Sequence, residues 1–175
     1  MAENLIKETL LNQKNFFQGH TTRSVSYRIE QLKKLRKAIK TDEKMIIDAL
    51  YADLRKSPFE AYTTEIGVVY DEIDLHLKKL KRWTKPKRVC RNIANPLATN
   101  RIYPEPYGSV LIISPCNYPF QLLINPLIGA ISAGNCAILK PAEFSSNTSE
   151  VLQKIISKTF DKKYVHLFTG GKEIN

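Results

Sequence analysis

The sequence contains few cysteines, no signal-like N-terminus and no long apolar run. Its three cysteines, Cys90, Cys116 and Cys136, show no C-x-x-C spacing, so neither a disulfide framework nor a zinc site is expected. The longest nearly uncharged apolar stretch, residues 122–133, is shorter than the ~20 residues that cross a membrane. The N-terminus lacks the basic and apolar segments of a signal peptide. The sequence therefore predicts a cytoplasmic protein without a membrane span or a metal site.

Glycine is also sparse, and its spacing excludes two nucleotide-binding motifs. The seven glycines cannot form G-x-G-x-x-G. Gly129 and Gly134 are separated as in a phosphate-binding P-loop, but Asn135 stands where that motif requires lysine. We therefore interpret Gly134 as the residue that ends a helix in the left-handed conformation.

Acidic residues are outnumbered, with 27 Lys and Arg against 17 Asp and Glu and a net charge of +10. No acid lies between Asp74 and Glu105, and this segment carries a run of basic residues: Lys78, Lys79, Lys81, Arg82, Lys85, Lys87, Arg88, Arg91 and Arg101. Such a run could contact nucleic-acid phosphates. Only Trp83 supplies an interleaved aromatic ring, however, and no nucleic-acid-binding motif accompanies it. The pattern favours a solvated helix end and connector, without nucleic acid as a partner.

The first half of the sequence predicts helices. The stretch 4–17 is moderately amphipathic, and apolar residues at 25, 29, 32, 35 and 39 form one stripe along a second helix. Thr41 is a candidate cap for a third helix. Ser57, followed by Pro58 and Glu60, is a strong start signal for a fourth. That helix would run to about Trp83, with Phe59, Tyr62, Ile66, Val69, Ile73, Leu77 and Leu80 along its apolar face.

After a polar, basic connector at 84–100 the pattern changes to short apolar runs that alternate with helical segments. Strands are predicted at 110–113, 136–139 and 164–168, with a helix at 118–133 and another that a capping box of Asn147 and Glu150 would start. Strands that are apolar on both faces indicate a parallel sheet with helices on both sides. We expect an α/β fold: a helical region at 1–100, then at 101–175 the βαβαβ first half of a doubly wound sheet. Pro126 should kink the first of these helices.

Polar residues follow the first two predicted strands, where ligands bind in open parallel sheets. Asn117 could donate its amide to a developing oxyanion, or it could simply cap the next helix. Glu143 could accept hydrogen bonds from a ribose diol, or it could form a solvated charge pair with Lys140. A third possibility pairs Cys116 as nucleophile with His166 as base, although His166 lies in the middle of an apolar strand. Spacing alone does not decide between these alternatives.

Several segments together resemble the aldehyde dehydrogenase superfamily, and in particular its class 3-like branch. The resemblance rests on EPYGSVLIISPCNYP at 105–119, AGN at 133–135 and KPAE at 140–143. The helical half contributes DLRK at 53–56 and EAYTTEI at 60–66. The resemblance extends over essentially the whole chain.

The resemblance implies an enzyme that oxidises a small-molecule aldehyde to a carboxylic acid with NAD or NADP. By position, Asn117 matches the oxyanion-hole asparagine of the family, and Lys140 and Glu143 match the residues that contact the adenosine ribose. Ile113, Ser114 and Pro115 would line the cofactor cleft. The resemblance also implies a homo-oligomer, a dimer, for the intact family protein.

Two departures from the family pattern limit this expectation. Cys116 occupies a position that the family usually fills with tryptophan, and it lies in the wrong segment to be the nucleophile. The catalytic cysteine, the general-base glutamate and the oligomerisation hairpin of the family would all lie beyond Asn175. We expect an N-terminal portion that is inactive alone. The alternative is a non-catalytic subunit that a separate C-terminal fragment completes.

Overall fold

The computed structural model describes residues 2–90, 94 and 98–170. Its first half is helical and its second half contains a small parallel sheet. The helices are α1 (Ala2–Gln18), α2 (Val25–Thr41), α3 (Glu43–Leu54), α4 (Pro58–Ala61), α5 (Gly67–Trp83), α6 (Gln121–Ala133) and α7 (Ser146–Thr159). The strands are β1 (Lys87–Val89), β2 (Asn100–Ile102), β3 (Ser109–Ile113), β4 (Cys136–Lys140) and β5 (Val165–Leu167). A short 3₁₀ turn, Thr21–Arg23, joins α1 to α2.

The sheet has the predicted parallel architecture. Strands β3, β4 and β5 lie in that order and are all parallel, with Ile113 opposite Lys140 at the carboxyl ends of the first pair. Helix α6 connects β3 to β4 and runs on past Pro126 to Ala133. Gly134 ends it with a φ of 93°, as predicted, and the Arg28 guanidinium occupies the space that a side chain there would need. This α/β arrangement confirms the predicted fold class.

The predicted fourth helix is continuous but contains one wide turn. Helices α4 and α5 are joined by a π-helical segment, Tyr62–Ile66, and the Ser57 hydroxyl caps the start by accepting the Glu60 amide at 3.2 Å. The predicted apolar face is wrong at its beginning, because Phe59 is 79% exposed. A π turn adds a residue and so rotates the preceding turn about the helix axis. Ala61 and Glu65 are buried there instead.

Two predicted caps are also wrong. Thr41 is the last residue of α2, and its hydroxyl donates back to the Lys37 carbonyl. Helix α7 begins at Ser146, and the side chain that caps it belongs to Asp53 in α3 rather than to a local capping box. Both predictions used residues close in sequence, whereas the structure satisfies the α7 amides from across the fold.

A two-stranded antiparallel ribbon begins in the predicted connector and ends just after it. Strand β1 pairs with β2, with Arg88 opposite Arg101, and the ribbon is largely exposed. The described residues of the basic run therefore lie on the last turns of α5, in the short link at Lys85 and on this ribbon. Arg91, which belongs to the predicted run, lies outside the described residues. Of the helices in the described part of the chain, none is long and apolar enough to cross a membrane.

One hydrophobic core joins the two halves of the chain. Leu35 and Ile73 from the helical half and Ile128 and Leu139 from the sheet half are all fully buried in the same cluster. Helix α1 reaches the sheet through Gln13, whose side-chain amide donates to the Ala137 carbonyl at 2.9 Å. The division of the chain into two regions at residue 100 stays a prediction. Side chains from both regions pack in the same core.

Candidate functional site

The loops that follow β3 and β4 lie side by side at one edge of the sheet. The Ser114 amide donates to the Lys140 carbonyl at 3.2 Å, which extends the strand pairing by one bond. The Ser145 hydroxyl then donates to the Cys116 carbonyl at 3.4 Å. Because the two strands are parallel, the loop carrying Asn117 and the loop carrying Glu143 share the carboxyl edge.

Asn117 is exposed and lies in a bend between β3 and α6. Helix α6 begins at Gln121, so Asn117 does not cap it. In the described part of the chain the Asn117 side-chain amide forms no hydrogen bond. Its backbone carbonyl accepts one from the Lys56 ammonium at 3.2 Å. The loop is therefore tethered through its backbone, and the side-chain amide is left available as a donor at the sheet edge.

The start of α6 is held by a buried carboxylate. Glu65 is 0% exposed, and its Oε2 accepts the Phe120 amide at 2.9 Å and the Gln121 amide at 3.2 Å. Its Oε1 accepts from the Lys56 ammonium at 2.6 Å. The first amides of a helix have no partner within the helix and carry a partial positive charge. Glu65 supplies both the acceptor and the negative charge.

The residues predicted to line the cofactor cleft have mixed exposure. Ile113 and Pro115 are exposed, whereas Ser114 and Lys140 are buried. The Ser114 hydroxyl has no hydrogen-bond partner, and the Lys140 ammonium has only the Pro141 carbonyl at 3.4 Å among the described residues. Buried polar groups normally have partners. A polar ligand in the cavity that Ile113 and Lys140 line would give the Lys140 ammonium a partner, whereas the Ser114 hydroxyl is closed to solvent.

Glu143 is exposed at a cavity of about 370 Å³ on the same edge. The cavity lies between the loop after β4, helix α7 and the end of β5, and its other lining residues are Pro141, Ala142, Ser146, Ser149, Glu150, Gln153, Thr169 and Gly170. Their hydroxyl, amide and carboxylate groups suit a ligand rich in hydroxyls, such as a ribose. Glu143 has neither an ion pair nor a hydrogen bond in the part of the chain described here, so the predicted charge pair with Lys140 does not form.

Asp53 holds the helix that follows this second loop. One of its carboxylate oxygens accepts the backbone and side-chain amides of Asn147, and the other accepts the Thr148 amide and hydroxyl, each at 2.7 Å. Burial alone would raise the pKa of Asp53, but these hydrogen bonds outweigh it and hold the pKa below its ordinary value.

The nucleophile–base alternative gains no support from the geometry. His166 lies in β5 and stacks edge-on against Phe168, and no hydrogen bond joins it to Cys116 among the described residues. Burial, followed by the nearby Lys162 charge, lowers the pKa of His166. Cys136 is buried and its pKa is raised to about 12, so its thiol is not a ready nucleophile. In the described ranges, no cluster of three His, Cys, Asp or Glu side chains could hold a metal ion.

Comparison with known proteins identifies the family. The model of the aldehyde dehydrogenase family matches residues 3–175. This chain belongs to the aldehyde dehydrogenase family. It is 48% identical over 170 residues to the 4,4'-diaponeurosporen-aldehyde dehydrogenase of Staphylococcus aureus, covering 97% of this chain and 37% of that protein. It is 42% identical over 167 residues to mouse aldehyde dehydrogenase family 3 member B3, covering 95% of this chain and 35% of that protein.

Two solved structures share the fold of this chain. The substrate-bound structure of Staphylococcus aureus AldH superposes with a TM-score of 0.94 at 48% identity, over 97% of this chain and 37% of that one. A glyceraldehyde-3-phosphate dehydrogenase from Methanocaldococcus jannaschii, complexed with NADP, gives a TM-score of 0.79 over 99% of this chain and 38% of that one. At 18% identity the second likeness shows the fold alone. The chain thus spans little more than a third of the length of these relatives.

Sequence reasoning missed Lys56, Glu65 and Asp53 as residues that hold the two loops. One signal was present: Glu65 lies three residues after Tyr62 and four before Val69, so it falls on the predicted apolar face. An acid in such a position must find buried partners. Its ion-pair partner, Lys56, lies nine positions away, but the amides that it accepts belong to Phe120 and Gln121, more than 50 positions away, and no local pattern predicts those.

Proposed function

We propose that residues 1–175 form the N-terminal part of an NAD(P)-dependent aldehyde dehydrogenase site. The enzyme would oxidise an aldehyde to a carboxylic acid, with NAD(P)⁺ as the oxidant. The observation that carries this proposal is the shared edge of the sheet. Asn117 and Glu143 follow adjacent parallel strands, and both side chains are exposed there. One ligand assembly can therefore contact both residues.

The residues at this edge fit a dinucleotide. The Glu143 carboxylate would accept hydrogen bonds from the ribose hydroxyls, and the Lys140 ammonium would donate to ribose oxygens. Ile113, Ser114 and Pro115 would form the wall beside it. When bound, the nicotinamide ring supplies the acceptor for the hydride that leaves the substrate.

Asn117 would act on the substrate. Its amide donates to the aldehyde oxygen as that oxygen gains negative charge after attack by a nucleophile. Removing one such donor typically slows turnover by about 10²–10³-fold. The amide has no competing hydrogen bond in the described residues, so its donation to substrate costs no internal contact.

The family's catalytic cysteine and general-base glutamate have no counterpart within residues 1–175. We therefore infer that this chain alone does not turn over, and that activity requires the C-terminal part that the relatives contain. We keep the other predictions as proposals: a small-molecule aldehyde as substrate, a homodimer for the intact enzyme, no nucleic acid as a partner, and a cytoplasmic location. All three cysteines are free thiols, as is usual in a reducing compartment.

Complementation tests the proposal. The chain is co-expressed with the part of the Staphylococcus aureus relative that lies beyond the matched region, and the purified complex is assayed for aldehyde-dependent NAD(P)H formation. We expect activity in the complex and none in the 175-residue chain alone. Asn117→Ala should lower turnover in the complex by about 10²-fold or more, whereas Asn15→Ala, at an exposed position on α1, should leave it unchanged.

Two results would contradict the proposal. Asn117→Ala with undiminished turnover would remove the oxyanion role. Aldehyde oxidation by the mass-verified chain alone, abolished by Asn117→Ala, would show that no C-terminal part is required. A complex that forms without activity would favour the alternative, a non-catalytic subunit.

A further inference from the structure

A buried ion pair lies directly behind the loop that carries Asn117. Lys56 and Glu65 belong to the helical half of the chain, and their side chains are 8% and 0% exposed. We propose that these two residues are positioning residues, which fix the direction of the Asn117 amide by holding the backbone on both sides of it. This inference rests on the oxyanion role proposed above for Asn117.

Glu65 fixes the chain after Asn117. Its Oε2 accepts the amides of Phe120 and Gln121, three and four residues further on. Neither Phe120 nor a neighbouring side chain caps α6 locally. Glu65 is thus the group that orients the first turn of the helix, and with it the bend from which the Asn117 side chain projects.

Lys56 fixes Asn117 itself. Its ammonium donates to the Asn117 carbonyl at 3.2 Å and to Glu65 Oε1 at 2.6 Å, and it lies 4.0 Å from the centre of the Tyr118 ring. One buried cation therefore contacts Asn117, its sequence neighbour and the carboxylate that caps the helix. Rotation of the Asn117 peptide would break the first of these contacts and disturb the second.

The π-helical segment is what brings Glu65 to this place. It spans Tyr62–Ile66, and Glu65 is buried on its inner side. Such segments interrupt regular helices at some cost and occur often at functional sites. A buried ion pair is itself a poor source of stability, because desolvation offsets most of the attraction. Control of loop geometry accounts for both features, whereas a contribution to stability accounts for neither.

The first test uses the 175-residue chain and measures the loop directly. Amide hydrogen exchange by NMR should show that Glu65→Gln increases exchange at Phe120 and Gln121 by tenfold or more, and that it shifts the side-chain amide resonances of Asn117. Because Glu65→Gln also lowers the stability of the whole fold, exchange in the α2 core, for example at Leu35, should be compared in Lys56→Met/Glu65→Gln, where much of that stability is recovered and core exchange should stay close to that of the parent chain. Glu60→Gln is the matched control, because Glu60 is an exposed acid on the same helical stretch.

The second test uses the complemented complex and separates binding from turnover. Glu65→Gln should lower kcat by about 10²-fold, the scale of a displaced catalytic group, with an unchanged KM for NAD(P)⁺. The double variant Glu65→Gln/Asn117→Ala should be no slower than Asn117→Ala alone, because the two residues act through one amide. Lys56→Arg should retain more activity than Lys56→Met, since a guanidinium still donates to the Asn117 carbonyl.

The outcomes distinguish this inference from the proposed function. If Asn117→Ala slows turnover and Glu65→Gln does not, the oxyanion role stands and the positioning role is overturned. If Asn117→Ala has no effect, the proposed function fails, and the positioning role fails with it. Additive losses in the double variant would mean that Glu65 acts elsewhere. If Glu65→Gln does not fold, the variant Lys56→Met/Glu65→Gln removes the unpaired charge and gives the same measurements.

Discussion

Helices α6 and α7 follow neighbouring strands, and each is capped by a carboxylate from the helical half of the chain, but the two caps differ in depth. Glu65 is fully buried and is paired with the Lys56 ammonium. Asp53 is partly exposed and relies on hydrogen bonds from two consecutive residues, Asn147 and Thr148, without an ion pair in the described residues. The depth of burial explains why only Glu65 has an ion-pair partner, because a fully buried charge requires a counter-ion and a partly hydrated charge does not.

The helical half of the fold therefore contributes to the candidate site. Besides packing against helices α6 and α7, it supplies the groups that hold the chain after both edge loops. The first loop carries the candidate donor Asn117, and the second carries the candidate ribose ligand Glu143. A change in α3 or in the π-helical segment should therefore reach the candidate site without touching either residue.

The largest stability loss should come from breaking the deeper cap. Glu65→Gln leaves the Lys56 ammonium buried without a counter-ion, and we expect the free energy of unfolding to fall by about 3–5 kcal/mol. Urea unfolding of the 175-residue chain measures this. The variant Lys56→Met/Glu65→Gln should recover much of the loss because no lone charge remains. If the double variant loses as much unfolding free energy as Lys56→Met and Glu65→Gln lose together, the ion pair is not the reason for the loss.

A smaller loss is expected from the shallower cap. Asp53→Ala removes every acceptor that Asp53 offers to Asn147 and Thr148, and the loss of a helix cap costs about 1–2 kcal/mol. The matched control is Asp48→Ala on the same helix, which removes only an exposed pair with Lys44 and should cost about 0.5 kcal/mol or less. Equal losses of unfolding free energy for Asp53→Ala and Glu65→Gln would contradict the conclusion that the depth of burial sets the cost.

The smallest effect should appear in the pH dependence of the shallower cap. The pKa of Asp53 lies below its ordinary value of 3.8 in the folded chain. The unfolded chain therefore binds a proton first as the pH falls, so the stability that Asp53 contributes is complete above 3.8 and is lost as the pH falls through the lower, folded value. The difference in stability between the parent chain and Asp53→Asn should shrink over that range. Urea unfolding at pH values from neutral to about 3 measures this difference in stability. A difference that grows as the pH falls would contradict the predicted direction.

Local signals predicted the parts of the fold that depend on neighbours in sequence. Ser57 caps its helix and Gly134 ends α6, because each acts on amides or backbone angles within a few residues. Asn147 failed as a predicted cap for the opposite reason, because a distant carboxylate supplies the acceptor at α7. Thr41 failed for a local reason: it is the last residue of α2, and its hydroxyl donates to the Lys37 carbonyl of the preceding turn.

The candidate site was accessible to sequence reasoning only in part. The order of strands and the rule that ligands bind at their carboxyl ends predicted that Asn117 and Glu143 would share an edge. The π-helical segment was not predicted, because no turn residue or proline marks it. It decides which residues of the long helix face inward, so Glu65 could not be assigned a partner.

Gln13 has a consequence for how this chain reaches its native state during synthesis. Its side-chain amide meets the carbonyls of Ala137 and Tyr164, which lie 124 and 151 positions further along. At about 5–20 residues per second, the first helix is synthesised roughly seven to thirty seconds before Tyr164. During that interval its apolar side has no sheet to cover, so the nascent N-terminus is the segment that a chaperone is expected to meet first.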